Sequence, residues 1–159
     1  MKIYLATDHA GFDLKERVKI YLQTKNYEIE DFGAFALDPE DDYPDFIFPA
    51  MKALNSDVKH PASNTNSRAI IFGSSGRGEA MIANRFSNIR AVVCDDNSDL
   101  TAKVKAWREH NNSNVLSFGS RFIDEKSALD AVKIWLETAF PAEARHLRRL
   151  TKISKLNFS

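Results

Sequence analysis

Apolar positions along the chain follow two different periods. Short runs rich in β-branched and aromatic residues, KIYLAT (2–7), RAIIF (68–72), IRAVVC (89–94) and NVLSFG (114–119), stand between longer stretches whose apolar residues recur every three or four positions. FDLKERVKIYLQTK (12–25) is of the second kind: Leu14, Val18, Tyr21 and Leu22 share one helical face, with charges opposite. YEIEDFG (27–33) alternates as a strand does and stops at glycine, and the acidic AFALDPEDDY that follows reads as a loop. A helix is expected from near Pro44 to about Leu54, with proline in the first turn, where its missing N–H costs nothing. NSDVKHPASNTNS (55–67) is dense in turn formers and reads as a surface loop; its His60 suggests no role. The remaining pattern predicts strand 68–72, helix 76–87, strand 89–94, a helix near 97–109, strand 114–119, helix 124–138 and a basic C-terminal helix over about 141–157.

Five short apolar strands separated by helices imply a single α/β domain spanning 1–159. The expected architecture is a three-layer sandwich, a Rossmann-like five-stranded parallel sheet with right-handed crossovers and helices on both faces. Open sheets of this kind bind ligands beyond the carboxyl ends of their strands. Those ends carry Asp8-His9, the loop GSSGRGE (73–79), Asp95-Asp96 and the GSR of 119–121, so the polar residues gather where such a fold builds a site.

Composition narrows the classes. The chain has 22 Lys+Arg and 22 Asp+Glu, which leaves no basic field to attract nucleic acid or an anionic membrane. No apolar run approaches transmembrane length, and the N-terminal stretch is too short in apolar residues for a signal peptide. A lone cysteine, Cys94, can make neither an internal disulfide nor a cysteine zinc site, and it reads as a small buried hydrophobe in a reduced, cytoplasmic protein.

The glycine loop is the richest feature. Small residues let backbone N–H groups approach an anionic oxygen, and the following helix adds partial positive charge. A P-loop would need Gly-Lys-Ser/Thr, but Gly78 is followed by Glu79. A dinucleotide fingerprint read from Gly76 ends in methionine and follows the third strand, although Asp95 or Asp96 could serve as its ribose-binding acid. A phospho-receiver is set aside because Gly73 and Gly119 stand where its aspartate and lysine belong. Another tenant is an oxyanion that exists only during reaction, an enediolate formed when a base removes the proton α to a carbonyl. Glu79 in the first turn, kept ionised by the helix dipole, could be that base; it could equally be a first-turn acid on an exposed helix. Phosphate would then sit elsewhere. Arg145 and Arg149, four apart in EARHLRRL (143–150), form either a guanidinium clamp or a solvated basic face. Arg121 could add a third cation, His9 a donor, and His110 an acid–base group.

With these residues assembled, the chain resembles the ribose-5-phosphate isomerase B family, which includes galactose-6-phosphate isomerase subunits. The resemblance runs through DHAG (8–11), DYP (42–44), GSSGRGE, ANR (83–85), RAVVC (90–94), REHNN (108–112), FGSR (118–121) and RHLRR (145–149). It implies aldose–ketose isomerisation of a sugar phosphate, ribose 5-phosphate to ribulose 5-phosphate first and a six-carbon sugar phosphate second, without metal, nucleotide or other cofactor. A non-catalytic sugar-phosphate or nucleotide-binding module is the reading from another class. By the resemblance Glu79 shuttles a proton between C1 and C2, where another branch uses a cysteine at the position of Gly73. The amides of residues 74–78, including Ser74, Gly76, Arg77 and Gly78, hold the enediolate, and Ser75 relays or holds a hydroxyl. Asp8 and His110 assist ring opening, Asn111 contacts sugar hydroxyls, and His9, Arg121, Arg145 and Arg149 bind phosphate. It further implies a homodimer, or a tetramer of two such pairs, with sites shared between subunits and the last helix reaching across. Ser74, Arg77 and a lengthened 55–67 connection depart from the family pattern, and Arg77 either lies in solvent or points into the site.

Overall fold

The three central strands of this chain are covered by helices on both faces and are buried almost throughout. The structure, a computed structural model, describes residues 1–59 and 66–156. Strands β1 (Lys2–Ala6), β2 (Glu28–Asp31), β3 (Arg68–Gly73), β4 (Ala91–Cys94) and β5 (Val115–Gly119) form one parallel sheet in the order β2-β1-β3-β5-β4. Helices α1 (Phe12–Thr24), α2 (Tyr43–Lys59), α3 (Arg77–Ala83), α4 (Leu100–Glu109), α5 (Glu125–Glu137) and α6 (Ala144–Ser154), with a short 3₁₀ turn at His9–Gly11, complete the described elements. This is the α/β three-layer fold that the pattern predicts.

Alternation along the central strands sorts the core into two layers. Ile3, Leu5, Ile70, Phe72, Leu116 and Phe118 pack against Val18 and Leu22 of α1, Val104 of α4, and Val132 and Trp135 of α5. Tyr4, Ala6, Ala69, Ile71 and Val115 face Ile47, Met51 and Leu54 of α2 and Ala83 of α3. β3 is buried at all six positions, which is why its apolar run is unbroken. β4 lies at the sheet edge, and Ala91, Val92 and Val93 stay partly exposed.

Several boundaries differ from the sequence reading. The segment expected as a loop from 55 is helical to Lys59, because Leu54 packs in the core and Asp57 is held by the Tyr4 hydroxyl at 2.6 Å and by Ser67 at 3.1 Å. His60 and the rest of that segment to residue 65 lie outside the described residues. α3 is seven residues long and ends at Ala83, not near 87, as the chain turns toward the edge strand. The C-terminal helix starts at Ala144 and ends at Ser154; position 157 of the expected span also lies outside the described residues.

Lys15 of α1 is fully buried. Its ammonium lies 3.0 Å from both oxygens of Asp31 at the end of β2 and donates to the Ala34 carbonyl at 2.7 Å. Burial pushes the Asp31 carboxyl up, but Lys19, the Gly33 amide and Lys15 outweigh it and hold it below the ordinary value. The pair ties α1 to the start of the acidic loop that reaches residue 41. Lys15→Ala should cost about 3 kcal/mol in urea unfolding, the low end for breaking a buried pair because Lys19 remains on Asp31. A loss below about 1 kcal/mol would show that Lys19 alone neutralises Asp31.

Candidate active site

The carboxyl ends of β1, β3 and β5 converge on the glycine loop. Ser117 Oγ donates to the Gly76 carbonyl at 2.6 Å, the Ser120 amide donates to Gly73 at 2.9 Å, and the Arg121 amide donates to Ser74 at 3.1 Å. Gly76 has φ 72°, and a Cβ there would come within 2.9 Å of the Phe118–Gly119 backbone, so two independent constraints demand glycine. The amide N–H groups of Ser74, Ser75 and Gly76 have no acceptor among the described residues and are available to an oxyanion.

Glu79 lies in the first turn of α3 and is only 4% exposed. Its carboxylate folds back over Gly73 and fills the space that a Cβ would need there. Burial first and the charge of Asp8 push its carboxyl above the ordinary value, against the opposing pull of its own backbone N–H. The expected dipole-stabilised, readily ionised acid is therefore corrected: dehydration outweighs the short helix. A buried carboxylate of raised pKa is a stronger base once ionised.

Asp8 follows β1, is 7% exposed, and accepts from the Ala10 amide at 3.0 Å. Burial raises its carboxyl too, opposed by the Ala10 amide and by His9. The charge of Asp8 in turn opposes ionisation of Glu79. Two neighbouring carboxyls with unequal environments can divide acid and base work.

His9 has a partner that the sequence did not single out. Asp41 Oδ1 lies 2.7 Å from His9 Nδ1 and accepts from the His9 amide at 2.9 Å, while Asp41 Oδ2 is buried without a partner among the described residues. This hydrogen bond raises the His9 pKa above 6.5, with the charge of Asp8 adding to it. Among four acids in DPEDDY, nothing in the sequence marks Asp41; only the fold of the loop does. Asp8, His9 and Asp41 place ligand atoms within 4.8 Å of one another, although Asp41 is already committed to the imidazole.

Arg77 does not enter the cleft: its Nε and Nη2 fork onto Asp95 Oδ2 at 3.1 and 2.7 Å, and its side chain stays 65% exposed. That ion pair also occupies one acid considered for ribose binding. Gly78 is pressed against the Tyr43 ring, where a Cβ would meet the hydroxyl at 2.8 Å. Cys94 is buried and its thiol is pushed up to about 12, which leaves it an inert core group.

The structure thus collects Asp8, His9, Ser74, Ser75, Gly76, Gly78, Glu79 and Arg121 at one edge, with Arg77 at the rim. It does not bring His110, Asn111, Arg145 or Arg149 to them. His110 caps the C-terminal end of α4, so with Asn111 it precedes the amino end of β5; a five-residue strand rising about 3.3 Å per residue puts the two edges about 16 Å apart. The His110 ring stacks on His146 of α6, centroids 4.6 Å apart and 13° from parallel. Burial, then Arg145 and His110, lower the His146 pKa, so it is a neutral stacking partner there. Arg145 and Arg149 are exposed on α6, and Arg145 pairs with Glu143 at 2.9 Å.

Comparison with known proteins gives a consistent picture. Residues 3–153 match the profile of the family described as Ribose/Galactose Isomerase. Ribose-5-phosphate isomerase B of Mycolicibacterium paratuberculosis is 34% identical over 150 residues, covering 94% of this chain and 87% of the relative. Ribose-5-phosphate isomerase B of Mycoplasma genitalium, solved with bound ribulose-5-phosphate, matches with TM-score 0.85 at 29% identity over 96% of this chain and 93% of that one. The Thermotoga maritima ribose 5-phosphate isomerase structure gives TM-score 0.84 at 34% identity, with 98% of each chain covered.

The His9–Asp41 contact sets a titration. Because the folded pKa is raised, the charge pairing is complete below 6.5 and is lost as pH rises through the folded value. An NMR titration should find the His9 imidazole above 6.5 in the wild type and back near it in Asp41→Asn. No change on substitution would mean that Asp41 does not control the ring.

Proposed function

The chain belongs to the ribose/galactose isomerase family, and on that basis we propose that it interconverts ribose 5-phosphate and ribulose 5-phosphate with Glu79 as the proton-transferring base. The observation that carries this reading is the Glu79 carboxylate, dehydrated over Gly73 beside unpaired loop amides. Glu79 takes the C2 proton of the open-chain aldose and returns it at C1; the charge that moves onto the carbonyl oxygen meets the N–H groups of the 74–78 loop. Asp8 lies beside the sugar oxygens and takes the C1 hydroxyl proton as the bond between C1 and the ring oxygen breaks, while His110 gives a proton to that ring oxygen. Ser75 holds a hydroxyl at the loop.

At the same edge His9, bonded to Asp41, and the exposed Arg121 receive the phosphate. His110, Asn111, Arg145 and Arg149 complete the site from a second copy, since one chain holds them at the far edge. The surface supports such a pairing. Leu147, Ile153 and Leu156 at the C-terminal end, with Met81 of α3, are 44% to 70% exposed, and the partly exposed β4 edge lies nearby. The active species is then a homodimer, alone or paired into a tetramer. Among the described residues no helix is long and apolar enough to cross a membrane, and the buried, unpaired Cys94 suits a reducing cytoplasm.

Two experiments test the reading. In D2O, ribose 5-phosphate should gain deuterium at C2, and Glu79→Gln should slow that exchange about 1,000-fold, the middle of the usual range for a lost general base. Activity should fall on the acid side at a pH above that of an ordinary glutamate. The folded state prefers the protonated carboxyl, so Glu79→Gln should be no less stable than wild type at neutral pH; ligand binding with no exchange in either protein would sink the proposal.

Mixing inactive Glu79→Gln with an Arg145→Ala/Arg149→Ala variant should restore about a quarter of wild-type activity, because half the dimers are hybrid and each hybrid has one intact site. Activity no greater than the sum of the parents would place the whole site within one chain.

A further inference from the structure

At the amino edge of the sheet, three arginines meet without a counter-charge among the described residues. Arg68 opens β3, Arg90 precedes β4, and Arg108 is in the last turn of α4; Arg68 and Arg108 are only 3% and 4% exposed. The strand order β3-β5-β4 brings them together around a cavity of about 240 Å³ that Asn88, Asn112 and Asn114 also line.

Among the described residues their hydrogen bonds go to neutral oxygens only. Arg68 Nη1 donates to the Trp135 carbonyl at 2.6 Å, Arg108 Nε to the Thr138 carbonyl at 3.2 Å, and Arg90 Nε to the Asn112 carbonyl at 2.8 Å. Arg108 Nη1 also donates to Asn112 Oδ1 at 3.0 Å and, closely, to the Ser113 carbonyl, and Arg90 Nη1 to the Asn88 carbonyl at 3.2 Å. No carboxylate pairs with any of the three among the described residues, and the Nη2 group of each has no acceptor there.

Part of this is structural, because Arg68 and Arg108 cap the last carbonyls of α5. That helix end is worth about half a negative charge, against three guanidiniums. Burial lowers Arg68 and Arg108 to about 10, with Arg68 and Arg90 adding repulsion at Arg108, and all three remain charged at neutral pH. Buried like charges that lack a partner are costly, and a native fold ordinarily supplies one. The free Nη2 groups are not sealed: among the described residues the buried side-chain polar atoms without partners are Asp41 Oδ2, Ser120 Oγ and His146 Nε2, so the spare guanidinium donors open on the cavity.

We propose that the Arg68–Arg90–Arg108 cavity is a second anion site, for a tetrahedral oxyanion such as phosphate, free or as the phosphoryl group of a small monoester. The cavity is smaller than the roughly 300–1,000 Å³ of sites for drug-sized ligands, which excludes a nucleotide. It is separate from the Glu79 site: β3 has six residues, and at about 3.3 Å each they place the two about 20 Å apart. The proposal therefore does not depend on the isomerase reading.

Asn112 supplies the test. Its φ of 45° suits Asn and Asp alike, and Asn112→Asp keeps the acceptor for Arg108 while adding a tethered negative charge. In an Arg145→Ala/Arg149→Ala background, which removes the α6 cations, inorganic phosphate should bind by calorimetry and raise the melting temperature. Adding Asn112→Asp should raise the ligand-free melting temperature and weaken phosphate binding by about tenfold or more. Glycerol 3-phosphate binding tighter than inorganic phosphate identifies a monoester as the natural occupant; the reverse identifies the free ion. No phosphate binding in the background variant, or binding unchanged by Asn112→Asp, overturns the proposal. Independently of any variant, wild-type crystals soaked in selenate should show an anomalous peak bonded to the three guanidiniums, and an empty cavity there would also overturn it.

Discussion

The glycine loop keeps its shape because the end of β5 is bonded to it from below. A serine hydroxyl, two amides and a backbone approach too close for any Cβ at Gly76 fix residues 73–78 against 117–121. The direction of the free amides, the start of α3 and the placement of Glu79 all follow from that contact. Because the strand beneath is buried throughout, the loop cannot shift without disturbing the core. A rigid support of this kind is what a proton-transferring carboxylate needs, since small errors in its position carry large costs in rate.

The sheet and its helices were legible in the sequence because each strand is a compact apolar run and each helix carries a clear stripe. The glycine loop and the gathering of polar residues at strand ends were legible for the same reason: chain order and strand direction suffice to place them. What was not legible depends on contacts between distant segments. Asp57 looked like a turn former and is instead pinned by Tyr4 and Ser67, which carries α2 beyond Leu54. Asp41 is one acid of several until the loop brings it onto His9. Arg77 belongs to a loop that invites ligands, yet Asp95, eighteen residues on, takes its guanidinium. Arg68, Arg90 and Arg108 are unremarkable singly and become a cluster only through the order in which the strands pair.

Charge is handled differently at the two edges of the sheet. At the carboxyl edge each acid has a distinct environment, and the imidazole of His9 is matched to one of them. At the amino edge, cations are held by carbonyls, and the His110–His146 stack joins α6 to the end of α4. The arginines of α6 are left exposed by that arrangement, at the rim of the molecule instead of in its interior.

The folding of Glu79 over Gly73 has a consequence for how this protein could have changed over time. A side chain at position 73 and the carboxylate of residue 79 compete for one volume, so any residue larger than glycine at 73 obliges the Glu79 carboxylate to move from the place it holds here. Substitutions at 73 and at 79 are therefore coupled: the effect of one depends on which residue stands at the other, and their free-energy changes do not add.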